Sequence, residues 1–324
     1  MTIANIRPGN EVVGTFVVAE SKTAEARTGK QYLRILLRDT QGQSILGFFF
    51  AAPDAILRTD FSGKTVEIVG KAGEYQGSMN LKLTAISLAA EQWNPVDSLP
   101  RSPIPSERMN ADLHQYLEEI VDAEIASVVR EVLDDPQVAP KLEDWPAAKS
   151  RHHAAIGGLL QHILELLQLS TVVAEIYPDI DKDLLIAGCI LHDIGKLIEL
   201  GVGNDFYYTP EGAMVGHIVL GDEIVNRACL SQECSPETTL RLRHMILSHH
   251  GEKEWGAPVV PSTAEAMALH HLDQISSQVT QVVQAIGRSK TSSSSTQVSS
   301  WDRQWNRTWF IGTADPKSRN EQTE

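Results

Sequence analysis

Over roughly residues 1–92, apolar residues come in short runs rich in β-branched and aromatic side chains: VVGTFVVAES (12–21), QYLRILLRDT (31–40), SILGFFF (44–50), KTVEIVGKAGEY (64–75) and MNLKLTAISLA (79–89). Glycine-containing polar turns separate them at Thr28-Gly29-Lys30, Gln41-Gly42-Gln43 and Gly77-Ser78. Leu33, Ile35 and Leu37 alternate with Tyr32, Arg34, Leu36 and Arg38. With side chains pointing to opposite faces in turn, one face is apolar and the other mainly basic and aromatic.

Five strands in so short a stretch predict a small all-β barrel, for which the OB-fold is the five-stranded candidate. WNPVDSLPRSPIPS (93–106) carries four prolines and reads as a linker. From Glu107 the apolar period becomes helical through 113–121, 125–133, 155–177, 183–200, 211–228, 237–250 and 263–286. An all-α helical bundle is therefore expected over 107–287. Residues 288–324 hold a serine-rich linker, SKTSSSSTQVSS, and a tail whose Trp301, Trp305 and Trp309 are spaced by four, the period of one helical stripe.

The net charge of −14 argues against broad nonspecific nucleic-acid binding, which needs a basic surface. The charge is uneven, however. Residues 1–95 carry ten Lys/Arg against nine Asp/Glu, and residues 96–285 carry twelve against twenty-nine. An acidic helical domain can hold divalent cations that in turn recruit phosphate, and a neutral barrel can carry a local basic groove. Cys189, Cys229 and Cys234 have neither metal-type nor disulfide-framework spacing. No apolar run approaches the length needed to span a bilayer, and MTIANIRPGN has no basic n-region or apolar h-region. A cytoplasmic protein without a membrane partner is expected; a homo-oligomer is compatible with the sequence.

Ten of the eleven histidines follow Lys149. His192-Asp193 sits inside the apolar run LLIAGCILHDIGKLIEL, where a charged Asp is costly unless it is paired or coordinates a metal. Lys196, three residues on, can pair with Asp193 or meet a substrate phosphate. His162, His217, His249-His250 and Asp273 lie on separate predicted helices that a bundle can aim at one centre. Such a mixed nitrogen and oxygen donor set suits Mn²⁺, Fe²⁺, Co²⁺ or Zn²⁺ rather than a thiolate-type site. For His114, His152, His153, His244, His270 and His271, an ordinary core or surface role is favoured.

The ordered series His162, His192-Asp193, Asp273, with HDIGK at 192–196, resembles the HD phosphohydrolase superfamily. Joined to an OB-fold, it resembles the YhaM-type 3′-to-5′ exoribonucleases. AEARTGKQYLRILLRDTQGQ (24–43), RHHAAIGGLLQH (151–162), GHIVLG (216–221), SHHG (248–251) and ALHHLD (268–273) carry that resemblance over roughly residues 5–285. The family's usual tryptophan after the third strand is replaced by the phenylalanine run 48–50.

The resemblance implies one divalent ion held by His162, His192, Asp193 and Asp273. It further implies a second ion, bridged by Asp193 and held by His217 and by His249 or His250, with Mn²⁺ foremost. It implies hydrolysis of single-stranded RNA, and of DNA as a further substrate, to nucleoside 5′-monophosphates, with Lys196 adding charge stabilisation. Lys30, Tyr32, Arg34, Arg38 and Phe48 are candidates for strand binding on the barrel, and Arg151, His152 and His153 for phosphate contact at the site mouth. Two readings compete. One is an HD-domain nucleotide or cyclic-nucleotide phosphohydrolase, although the GYP element usual in cyclic-dinucleotide enzymes is missing after the HD pair. The other is a non-catalytic single-strand-binding protein.

Overall fold

The computed structural model describes residues 2–75, 78–150, 152–292 and 297–312. Gly77 of the expected turn, Arg151, and residues 293–296 of the serine-rich stretch lie outside the described residues. The chain divides into two compact units, one holding Met1–Leu99 and the chain from Gln281 onward, the other Pro100–Thr280.

In the first unit, β1 (Glu11–Glu25), β2 (Gln31–Arg38), β3 (Ser44–Phe49), β4 (Thr65–Tyr75) and β5 (Ser78–Leu88) close into a barrel of order β1-β2-β3-β5-β4. Only the β3–β5 pairing is parallel; the others are antiparallel. This is the OB-fold connectivity, and closure leaves no exposed sheet edge. A bulge between Val18 and Glu20 lets the long β1 bend from β4 to β2. Phe16, Leu33, Ile35, Leu37, Ile68 and Leu81 fill the interior. The short helix α1 (Asp54–Leu57) follows β3. Gly29 and Gly42 adopt left-handed φ in their turns, as the sequence requires.

The tail is not the helical stripe that its spacing suggests. Val298 bridges Phe310 and Asp302 bridges Arg307, so the segment reverses as a short hairpin. Asn306 takes a left-handed φ of 51° at the reversal, and Arg307 lies over the Trp305 and Trp309 rings. Of the three tryptophans at helical spacing, Trp305 and Trp309 meet edge-on around the turn, 5.8 Å between centroids, while Trp301 is exposed. The serine-rich stretch also begins inside a helix, which runs to Ser292.

The second unit is a helical bundle: α2 (Ser106–Glu119), α3 (Ala123–Asp134), α4 (Gly158–Ile176), α5 (Lys182–Leu191), α6 (Lys196–Glu199), α7 (Pro210–Met214), α8 (His217–Ser231), α9 (Pro236–Ser248) and α10 (Ala264–Ser292), the last counted with this unit to Thr280. Side-chain caps start several of them: Asp122 for α3, Asp181 for α5, Thr209 for α7 and Ser235 for α9, the last two followed by proline. A hairpin of β6 (Leu200–Val202) and β7 (Phe206–Tyr208), unforeseen from the pattern, separates α6 from α7. Against expectation, α4 is long and apolar enough by length and composition to cross a membrane. Its Leu159, Leu160, Ile163, Leu166 and Leu167 are instead buried in the bundle core, the ordinary position of a central helix.

Two apolar runs that read as continuous helices are broken. The run 183–200 stops at Leu191, turns through His192–Gly195 and restarts at Lys196. The run 211–228 breaks at Gly216, whose φ is 81°. These breaks bring the His192–Gly195 turn against the start of α8. A Cβ on Gly195 would collide with the His217 carbonyl oxygen and lie 2.6 Å from the Gly221 nitrogen.

Gly195→Ala is therefore expected to cost about 1–3 kcal/mol or more, the scale of forced overpacking, here against rigid backbone. Gly287→Ala on α10, where no atom lies within 4 Å of an added Cβ, is expected to be neutral or stabilising by up to about 1 kcal/mol. Urea unfolding midpoints of the two variants provide the comparison.

Candidate active site

The site is assembled on the ends of helices. His162 is one turn into α4, His192 caps α5 and Asp193 follows it. His217 opens α8, His249 caps α9 with His250 next, and Asp273 lies in α10. His162, His192, Asp193 and His249 are essentially removed from solvent, Asp193 at 2% exposure. An isolated carboxylate at that depth would cost several kcal/mol, so its partners decide whether the arrangement is tolerable.

The two oxygens of Asp193 face different surroundings. Oδ2 lies 2.6 Å from Lys196 Nζ, 3.3 Å from His192 Nε2 and 3.6 Å from His162 Nε2. His162 Nε2 is 3.2 Å from His192 Nε2 and 3.3 Å from Asp273 Oδ1. Oδ1 lies 3.5 Å from His217 Nε2 and 3.7 Å from His249 Nε2. Among the described residues, Asp193 Oδ1, His217 Nε2 and His249 Nε2 are buried without hydrogen-bond partners.

The hydrogen bonds behind the rings fix which nitrogen faces inward. A carbonyl only accepts, so a ring nitrogen bonded to one carries the proton. His192 Nδ1 donates to Cys189 O at 3.0 Å, His249 Nδ1 to Ile246 O at 2.7 Å, and His250 Nδ1 to Trp255 O at 2.8 Å. His217 Nδ1 donates to the Glu199 carboxylate at 3.0 Å, and the same oxygen accepts the His217 backbone N–H. His162 Nδ1 meets Ser276 Oγ at 3.0 Å, and that hydroxyl donates to Glu165 Oε2 at 2.7 Å, leaving the serine to accept from the ring. In their neutral forms, all five rings turn an Nε2 lone pair toward Asp193 and its neighbours. Such outer partners orient metal-binding histidines and raise their basicity.

This arrangement fits divalent cations. Among the described residues, His162, His192 and Asp193 form one set that can hold an ion, and His217, His249 and His250 form another, the ligand atoms in each lying within 4.8 Å of one another. Asp273 stands beside the first, and the Asp193 carboxylate lies between the two. Three buried acceptors facing one another unpaired would each cost about 1–3 kcal/mol; a cation among them removes that penalty.

The protonation energetics agree. Burial pushes His162, His249 and His250 below the ordinary histidine range, and burial together with Lys196 takes His152 down to about 3. His192 is the exception: burial opposes its charged form, but Asp193 outweighs this and raises it. Burial also works against ionised Asp193, yet Lys196, His192 and His217 hold it well below the usual carboxylate range. Asp273 is likewise lowered, its burial outweighed by His162 and His192.

Most of the expected cluster is thus in one place, with corrections at its edge. His153 is not at the site mouth: it is buried, with φ 52°, and its Nε2 lies 3.1 Å from Glu165 Oε2. It backs His162 through Glu165 and Ser276 and is not free to meet phosphate. His152 is half-buried, its ring 6.0 Å from that of His162. His244 accepts from Ser262 N and His270 bonds the His249 carbonyl, both outside the ligand sets. Glu165, Glu199 and Ser276 were not singled out from sequence. Glu165 follows His162 by three residues and Glu199 follows Lys196 by three, a helical spacing that held a usable clue.

On the barrel, the phenylalanine run divides as a strand must. Phe49 points inward at 7% exposure, while Phe48 and Phe50 flank Tyr32 outside, with ring centroids 6.3 and 5.0 Å from it. An open groove of about 650 Å³ is lined by Lys30, Tyr32, Phe50 and Pro53, together with Lys82, which sequence reasoning missed. Lys82 lies on β5 opposite Phe48, a pairing that only the parallel β3–β5 contact reveals. Arg34 is tied to Glu20 at 3.1 Å. Arg38 departs from the expected outer face. At 4% exposure it is buried at the end of β2, paired there with Val17 and Ser44, its Nε 3.4 Å from Ser44 Oγ.

Comparison with known proteins adds three findings. The HD domain family matches residues 159–278. The chain is 34% identical over 285 residues to the 3′-5′ exoribonuclease YhaM of Bacillus velezensis, covering 87% of this chain and 90% of that protein. Among solved structures, the second OB-fold domain of replication protein A from Methanococcus maripaludis is 15% identical and matches 29% of this chain and 97% of its own, at a TM-score of 0.24. The barrel assignment rests on its own strand order.

The lowered histidines set the expected pH response of the metal-free protein. His152, His162, His249 and His250 bind protons less readily folded than unfolded, so their contribution is present above the unfolded value of 6.5 and is lost as pH falls below it. His192, raised by Asp193, contributes in the opposite sense, its share lost as pH rises above 6.5. The lowered carboxylates add a further loss below the ordinary carboxylate range. The melting temperature in excess chelator is expected to fall from pH 7.5 to 5.5; a flat profile would contradict neutral, inward-facing imidazoles.

Proposed function

The chain belongs to the family of the 3′-5′ exoribonuclease YhaM, and we propose that it is a divalent-metal-dependent exonuclease that shortens single-stranded RNA from its 3′ end to nucleoside 5′-monophosphates. DNA is a further substrate. The observation that carries this reading is the split environment of Asp193, with Oδ1 and the Nε2 atoms of His217 and His249 buried and unpartnered around one point. The mixed imidazole and carboxylate donors suit Mn²⁺, Fe²⁺, Co²⁺ or Zn²⁺; Mn²⁺ is put first on the family resemblance. When bound, divalent cations in such a site polarise phosphoryl oxygens and lower the pKa of water toward neutrality.

We assign His162, His192, Asp193 and Asp273 to one ion, and Asp193, His217, His249 and His250 to a second. Lys196, kept protonated by Asp193 against the effect of burial, brings a fixed positive charge toward the phosphoryl oxygens. Glu199, Ser276 and Glu165 keep the imidazoles in the required tautomer. Residues 107–287 perform hydrolysis and residues 1–92 hold the strand, with Tyr32, Phe48 and Phe50 as stacking surfaces and Lys30 and Lys82 as phosphate contacts. The free cysteines, Cys189 and Cys229 buried, support a reducing, cytoplasmic setting.

A gel time course with 5′-labelled single-stranded RNA and the same sequence as DNA, with Mn²⁺ or chelator, tests the reading. A Mn²⁺-dependent ladder shortening from the 3′ end is expected, with RNA degraded faster. Hydrolysis of free nucleotides with intact oligonucleotides would overturn it. Asp193→Ala is expected to abolish turnover, and Lys196→Ala to lower kcat by about 10²–10³-fold, the scale for one charge-stabilising donor. Glu199→Gln is expected to weaken metal binding by about 10–100-fold, measured by titration calorimetry. Tyr32→Ala with Phe50→Ala is expected to weaken RNA binding in chelator by about 1–3 kcal/mol per stacked base lost, read by fluorescence anisotropy.

A further inference from the structure

The loop after the His249-His250 pair carries an aromatic side chain that the proposed chemistry does not use. Gly251 and Gly256, at φ 80° and 93°, bracket a single turn of 3-10 helix, Lys253–Trp255. The main chain of Trp255 is engaged: its N–H donates to Glu252 O at 3.0 Å and its carbonyl accepts from His250 Nδ1 at 2.8 Å. The indole does neither. It is 55% exposed, and among the described residues its N–H has no hydrogen-bond partner. Solvating so large an apolar ring is unfavourable unless something covers it.

Its place in the bundle suggests what does. The ring centroid is 6.0 Å from that of His270, which lies one helical turn before Asp273 on α10, and Gly251 packs directly on the same imidazole. Trp255 therefore stands where the His249–His250 corner meets α10, its carbonyl holding the His250 ring of the second proposed ion site. Glu252, Lys253 and Glu254, all exposed, give the loop a net charge of about −1, so it offers no cationic cradle for a phosphate and an uncharged planar group is the fitting ligand.

We propose that Trp255 is the stacking platform of a nucleobase subsite that receives the 3′-terminal base of the strand as its phosphodiester enters the metal centre. This rests on the exonuclease reading. A base stacks on an indole through its π-face, so the subsite accepts any base and discriminates against a terminus that lacks one.

The test uses the full-length metal-loaded protein and two single-stranded RNAs differing only in a normal or an abasic 3′-terminal nucleotide. The wild type is expected to prefer the normal end by about tenfold or more in kcat/KM, within the range for one base–ring stack. Trp255→Ala is expected to shrink that preference to within about twofold, mainly through KM, and Trp255→Phe to retain most of it. The carbonyl that holds His250 survives either substitution, so metal content is expected to stay at the wild-type level. Anisotropy in chelator is expected to show the same loss of discrimination in binding alone. Equal discrimination by the wild type and Trp255→Ala, or none in the wild type, would overturn the subsite. Failure of the wild type to shorten either RNA would instead overturn the reading on which it rests.

Discussion

The bundle depends on how one buried carboxylate is satisfied. Asp193 lies at 2% exposure with three cationic or imidazole partners around Oδ2 and none hydrogen-bonded to Oδ1. Lys196 neutralises its charge but reaches only one oxygen. A protein built for stability alone would use both, or replace the pair with apolar side chains at no loss. Oδ1 instead faces two imidazole Nε2 atoms, with no hydrogen bond to it among the described residues, which spends stability on a set of donors that suits a cation. The apolar flanks, Leu184 to Leu191 and Leu159 to Leu167, each bury side chains worth about 1.5–3 kcal/mol, ample to offset that local deficit.

Geometry at this centre is set from behind. Two i−3 carbonyls orient His192 and His249, a loop carbonyl orients His250, and carboxylates or a serine relay orient His217 and His162. None of these bonds requires a metal, so the proposed ligands are oriented without one. Gly195 and Gly221 serve the same end, letting the His192–Gly195 turn approach α8 until His217 and Asp193 meet. The hairpin β6–β7 and α7 then hold Glu199, with Gly212 packed against its backbone and Thr209 bonded to its carbonyl.

The parts legible in sequence were those that repeat a period or carry a rare residue. Five alternating runs gave five strands with boundaries within a few residues, because inward Leu33, Ile35 and Leu37 leave no other register. The metal-binding candidates stood out because histidine and aspartate are improbable inside apolar helices. What stayed hidden was decided by contacts distant in sequence. Nothing in the run 183–200 announces a break at His192, since the turn is stabilised by α8, and Arg38 continues a perfect alternation yet is buried by strands on both sides. The tryptophan spacing misled for a local reason: a period of four fits a helix, but a left-handed Asn306 folds it into a hairpin.

The acidic balance of the helical part becomes intelligible in these terms. A polyanionic substrate should be repelled by twenty-nine Asp/Glu against twelve Lys/Arg over residues 96–285. The repulsion is screened within about 8–10 Å in physiological salt, while charges in the buried centre are screened much less. A strand is then attracted only where cations neutralise the Asp193 and Asp273 carboxylates and where uncharged rings offer stacking. On the barrel the proposed surface is Tyr32, Phe48 and Phe50, with Lys30 and Lys82 beside the groove rather than a broad basic field. On the proposed function, affinity drawn from π-faces and a few lysines would tolerate any sequence and let a strand advance one nucleotide at a time, which a dense array of phosphate contacts would resist.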